Sequence, residues 1–148
     1  MLLERSRTLL AALWAGALLA VAFIAAPSAF EVLERAQAGR LVGRVFELEA
    51  FTSCCCALLL MVMDRRVQRD SGGPAVTAGF LLPAGAFFCV VAGFYALQPL
   101  MEAARAGQGG VSFMTLHGVS MGFYGLRTVL VLVLAWRLSA RLIQPRAS

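Results

Sequence analysis

Arg127 stands near the middle of an apolar stretch that runs from about His117 to Trp136 and is long enough to cross a bilayer. A lone Arg at the centre of a spanning helix costs roughly 2.5–3.5 kcal/mol on insertion scales, so it must face a partner or a wet cavity. On a wheel of ~100° per residue, His117, Ser120, Tyr124, Arg127 and Thr128 share one sector. An earlier apolar stretch carries a second polar sector, formed by Glu49, Thr52, Ser53 and Cys56, with Arg40, Arg44 and Glu47 on its opposite side. Glu49 is the expected partner of Arg127. Helical side chains lean toward their own N-terminus, so the long Arg127 side chain reaches toward the depth of Glu49 if both segments run the same way. Such a polar interior serves one of two chemistries, an ion pair that locks helices together or a site for a small solute or ion.

The remaining reactive side chains say less. His117 is the only histidine. Its plain reading is an interfacial anchor, and its functional one is a proton-linked or metal-linked group at the mouth of the polar interior. A bis-histidine haem within one chain is excluded by that count, which leaves His117 with Met121 or another Met, or two chains together. Cys54, Cys55 and Cys56 are consecutive and point ~100° apart on a helix, so all three cannot ligate one ion. Cys56 with Cys89 remains a weak two-thiolate candidate for a soft ion such as copper, against the reading of all four cysteines as small packing residues. No nucleophile and base pair, paired carboxylates, phosphate loop or zinc spacing occurs, and Ser120 with His117 lacks an orienting third group. The expectation is a protein without enzymatic activity and without a resident cofactor.

The elements that must position these residues are apolar. Of the 148 residues 60% are hydrophobic and 14% charged, with a mean hydropathy of +0.80, which points to a membrane protein. Four apolar segments, about 8–26, 45–63, 74–97 and 116–138, each have the ~20 residues that cross the hydrocarbon. The fold expected is all-α, a single integral membrane four-helix bundle. The first segment reads as a retained helix rather than a signal peptide, since no clean cleavage site follows it at Ala26, Pro27, Ser28 and Ala29. Gly118, Gly122 and Gly125 beside the polar stripe would let another helix approach closely, and Leu126, Leu130 and Val133 would meet lipid. Pro83, Gly79, Gly85 and Gly93 make the third helix a candidate for a bend or for close packing.

The connections carry the orientation. Residues 27–44 read as a long segment at headgroup level, and 64–73 as a polar loop closed by Gly72, Gly73 and Pro74. Gly107, Gln108, Gly109 and Gly110 make the last connection glycine-rich. All thirteen basic residues are Arg. Arg5, Arg7, Arg65, Arg66, Arg69, Arg137, Arg141 and Arg146 fall on the side of the termini, and Arg35, Arg40, Arg44 and Arg105 on the other. That bias places both termini in the cytoplasm of a bacterial inner membrane. The formal charge of +5 thus reflects topology and calls for no nucleic acid. The expected partners are the bilayer and either a membrane protein or further copies of the chain.

Several of these residues also carry a resemblance. Gly16, the A-P-x-x-F turn of Ala26, Pro27 and Phe30, then Leu33, Ala38, Gly39, Gly43 and Phe46 recur in order, followed by Phe113, Leu116, His117, Gly118 and Ser120. The chain resembles the transmembrane-protein-205-like family, the bacterial domain of unknown function 4149, over nearly its whole length. The resemblance implies a four-helix integral membrane domain and no agreed reaction, and eukaryotic relatives are associated with resistance to platinum drugs. It also implies a distant likeness to copper-resistance and haem-binding membrane units, so a metal-linked or haem-linked redox module is the alternative to solute handling. Where relatives often carry Asn this chain has Tyr124, and Arg127 is no part of the family pattern. The Arg127–Glu49 pair rests on the residues alone.

Overall fold

A computed structural model describes residues 2–108 and 110–143. Gly109 and Arg146, counted above in a loop and in the charge bias, lie outside the described residues. The described chain is all-helical, with four helices long and apolar enough to cross a membrane. The first spans Leu2–Val32, the second Arg35–Ser71, the third Ala78–Arg105 and the fourth Phe113–Ile143. The first and third each pack on the second and fourth, whereas the second and fourth scarcely touch across the bundle.

Sequence periodicity explains which faces meet. Arg7, Ala11, Trp14 and Leu18 of the first helix, Ser53, Ala57, Leu60 and Asp64 of the second, and Arg127, Val131, Leu134 and Leu138 of the fourth are all buried. Each set steps by four, three and four residues, the seam of a helix bundle. Away from these seams the helices remain apolar, with Leu13, Phe51 and Phe88 each more than 60% exposed. Helices apolar all round suit a hydrocarbon solvent. The chain is a multi-pass membrane protein.

The helices run further than the apolar segments. The first passes through Pro27 to Val32, so the headgroup-level segment expected over 27–44 is instead two helix ends joined at Leu33 and Glu34. The second continues over 64–71, which removes most of the expected polar loop. It stops at Gly72, whose φ of 67° is a left-handed cap that glycine adopts without a Cβ clash. The third begins at Ala78 behind Thr77, whose hydroxyl accepts the Phe80 N–H at 3.2 Å. Pro83 is buried inside it without ending it.

Two π-helical stretches interrupt the α pattern, Val21–Ala25 in the first helix and Val91–Ala96 in the third. Each lies a few residues before a proline, Pro27 and Pro99. A proline removes a backbone N–H and crowds the carbonyl four residues back, and widening the turn is one way to keep the helix going. The third helix therefore departs from α geometry at the π stretch that contains Gly93, and not at Pro83. Gly79 and Gly93 serve close packing: a Cβ on Gly79 would collide with Asp64 Oδ1 and lie 2.8 Å from Arg7 Nη2, and one on Gly93 would lie 2.9 Å from Phe123 Cγ.

Candidate functional site: a cavity above a buried ion pair

Arg127 and Glu49 occupy matching depths, each fourteen residues into its helix, Phe113 to Arg127 and Arg35 to Glu49. At 1.5 Å per residue both lie ~21 Å along helices that run in the same direction. Arg127 Nη2 donates to Glu49 Oε2 at 2.7 Å, with the two side chains 4% and 8% exposed. The pair therefore spans the diagonal that the second and fourth helices leave open. Glu49 Oε1 accepts the Ser53 hydroxyl, and Ser53 accepts the Trp14 Nε1–H at 2.7 Å. Arg127 Cζ sits 4.6 Å from the centroid of the Tyr124 ring, whose hydroxyl donates to the Leu18 carbonyl at 2.8 Å. One hydrogen-bonded chain thus ties the first, second and fourth helices together.

Beyond this floor, toward the end of the bundle away from the termini, a cavity of about 550 Å³ opens between the second and fourth helices. Glu49, Tyr124 and Arg127 close its inner end, Phe46, Val90 and Phe94 supply apolar wall, and Arg35, Gln98 and Arg105 stand toward the helix ends. Arg105 Cζ lies 4.5 Å over the Phe113 ring, which stacks on His117 with centroids 5.7 Å apart. This ladder fixes the third helix to the fourth at the rim. Ser120 donates to the Gly93 carbonyl at 2.6 Å inside the third helix's π stretch. The second helix contributes Gly39 and Gly43, beside which no atom lies where a Cβ would stand.

The sequence expectations fare unequally. Glu49, Ser53, Tyr124 and Arg127 come together in the interior; Ser120 and His117 line the cavity, with His117 exposed at its rim. Thr52 does not belong. It is exposed, and its hydroxyl turns back to the Leu48 carbonyl at 2.8 Å, because one step around the helix from Ser53 already leaves the seam. Gly118, Gly122 and Gly125 are exposed with open space beside them, so none of the described helices approaches there. Leu130 is half-buried against the core rather than facing lipid. Of the thiols, Cys56 packs against the core cluster while Cys89 lines the cavity, as does Met121. Among the described residues no three His, Cys, Asp or Glu side chains gather as an ion-holding group.

A second buried pair was not foreseen. Arg7 of the first helix donates to Asp64 of the second, and Asp64 Oδ2 accepts the Thr77 hydroxyl at 2.6 Å. In the sequence Arg7 reads as one of the basic residues on the side of the termini and Asp64 as the start of a polar loop. Both sit at the ends of apolar runs among other charges, yet both continue the buried four-three-four seam, and that periodicity was the signal.

Most residues of the family motif converge on the cavity: Ala26, Phe30, Gly39, Gly43, Phe46, Phe113, His117 and Ser120 line it, while Gly16, Pro27, Leu33, Ala38, Leu116 and Gly118 do not. The profile of the family described as Domain of unknown function (DUF4149) matches residues 9–109, about two thirds of the chain. The chain belongs to this family. The DUF4149 match covers the first three helices and the Glu49 side of the site, and stops short of the helix that carries His117 and Arg127. No curated protein and no solved structure matches the chain.

Proposed function

We propose that this DUF4149 protein is a non-enzymatic binding protein of the bacterial inner membrane, taking up a small solute in the cavity between its second and fourth helices. The observation that carries the reading is that cavity of about 550 Å³, floored by a buried ion pair and walled largely by apolar side chains. Its size falls within the ~300–1,000 Å³ usual for small-molecule sites, and a few converging polar groups in an apolar wall are what such sites use for orientation. The arginine bias supports an orientation with the termini in the cytoplasm and the open end of the cavity outside. The likeness to the transmembrane-protein-205-like group adds support, since eight of the residues that carry it line the cavity. Neither a cofactor nor a reaction is needed.

Filling the cavity tests this. Gly43 lines it and has open space at its Cβ position, so Gly43→Phe should leave helix content and detergent-solubilised yield unchanged while removing capacity for ligand. The ligand is found by extracting the purified wild-type protein and comparing small molecules retained, by mass spectrometry, with those retained by Gly43→Phe. An identical profile for the two proteins counts against the cavity as a binding site. A Soret band or stoichiometric copper in the wild type, lost with His117→Ala or with Cys56 and Cys89 replaced, would move the assignment to a redox module.

A further inference from the structure

The hydrogen bonds around the cavity floor leave a surplus of one kind. Glu49 has both carboxylate oxygens engaged, by Ser53 and by Arg127. The hydroxyls of Ser53, Ser120 and Tyr124 each donate to an acceptor of the protein itself, and the Trp14 indole N–H donates to Ser53. Arg127 differs. It is 4% exposed, lines the cavity, and its Nε and Nη1 have no hydrogen-bond partner among the described residues. A buried guanidinium N–H without an acceptor is costly, more so than a neutral donor. The site therefore lacks acceptors and not donors.

Charge has the same sign. Three arginines, Arg35, Arg105 and Arg127, line the cavity against one carboxylate, Glu49, which is already paired. Arg105 lies over the face of Phe113, a placement that occupies its π surface and leaves its N–H edges free to meet a ligand. Between these charged ends the wall is Phe46, Val90 and Phe94.

Resting on the binding reading above, we infer that the ligand is an anionic amphiphile, a molecule with a carboxylate or phosphate group and an apolar body. Its acid group supplies the acceptors that the arginines lack, and its apolar part covers the aromatic and aliphatic wall. A cation would face Arg35 and Arg105 with the one carboxylate, Glu49, already paired to Arg127, and a neutral hydrocarbon would leave the Arg127 donors unmet. A bare inorganic anion would leave the wall wet.

The test uses the full chain in nanodiscs of phosphatidylcholine, with dissociation constants for dodecanoate, dodecyl phosphate, dodecanol, dodecylamine and inorganic phosphate measured by calorimetry against protein-free discs. Expected is one site per chain for dodecanoate or dodecyl phosphate, at least ~10-fold tighter than dodecanol, the effect of one charge-assisted hydrogen bond. Dodecylamine and inorganic phosphate should bind more weakly still. The better of the two acids tells a carboxylate ligand from a phosphate one. Because Arg127→Gln strands Glu49 and endangers the fold, the charge arm uses Arg35→Gln with Arg105→Gln, both at exposed positions. That variant should lose ~10-fold for the acids and leave dodecanol unchanged. Equal binding of acid, alcohol and amine would overturn the anion inference and leave the cavity reading standing. Inorganic phosphate binding as tightly as the dodecyl acids would overturn the amphiphile. No dodecyl probe binding above the empty discs would overturn the amphiphile inference, and the cavity reading would then be decided by the Gly43→Phe comparison alone.

Discussion

Arg127 and Glu49 hold each other at a depth where neither charge is tolerated alone, so their energetics must be read as a pair. Arg127→Ala leaves a carboxylate 8% exposed, and Glu49→Ala leaves a guanidinium 4% exposed. Each single change should lower the folded yield in detergent, and the double change should recover part of the loss. A double-mutant cycle is expected to return a coupling above ~0.5 kcal/mol, in the range of polar contacts measured between membrane helices. Strictly additive losses would show that the pair contributes no mutual stabilisation. The glycines separate by surroundings rather than by spacing. Gly79→Ala drives a methyl into the Arg7–Asp64 pair and should cost about 1–3 kcal/mol, whereas Gly122→Ala meets nothing and should be neutral or gain up to ~1 kcal/mol. Detergent-titration midpoints of the two variants check this. Arg127–Glu49 was legible because a charge inside an apolar run has few explanations. Arg7–Asp64 was not, because a charge at the end of such a run looks solvated until its seam is followed one turn further.

At the scale of elements, the joint between the second and third helices does two jobs through one side chain. The Thr77 hydroxyl caps the third helix by accepting from Phe80 N and also donates to buried Asp64, while Arg65 donates to the Ala75 carbonyl to close the turn. Thr77→Ala removes a cap and a carboxylate's hydrogen bond together and should cost about 1–3 kcal/mol. Thr77→Ser keeps both bonds and should restore most of it, as read from thermal unfolding of the two variants by circular dichroism. The four helices and their order were legible from apolar length alone, since runs of ~20 apolar residues fit a spanning helix and are about twice what a spanning strand needs. Their ends were not. Pro27 was expected to mark an exit, but the wide turn over Val21–Ala25 lets the first helix continue past it, and composition does not register such a turn.

For the whole molecule, orientation is the property with the widest consequence, because it decides which compartment the cavity faces. With Cys54, Cys55, Cys56 and Cys89 replaced, a single cysteine at Ser71 should resist an impermeant maleimide in intact cells and react once the membrane is permeabilised. Labelling in intact cells would invert the topology and turn the cavity to the cytoplasm. Burial of Arg7 reduces the arginine bias that the expectation rests on without reversing it.

The two ion pairs also differ in when they can form. Arg7 and Asp64 lie 57 residues apart on consecutive helices, so that contact is available as soon as the second helix leaves the ribosome. Glu49 precedes Arg127 by 78 residues, and the whole third helix must emerge in between. Through that interval the nascent chain carries an acidic side chain at mid-membrane depth with a hydroxyl, Ser53, as its partner and no cation. Its synthesis therefore has a vulnerable stage that ends only with the last helix. A chain arrested before Arg127 would present an unpaired carboxylate to whatever machinery inserts or degrades it.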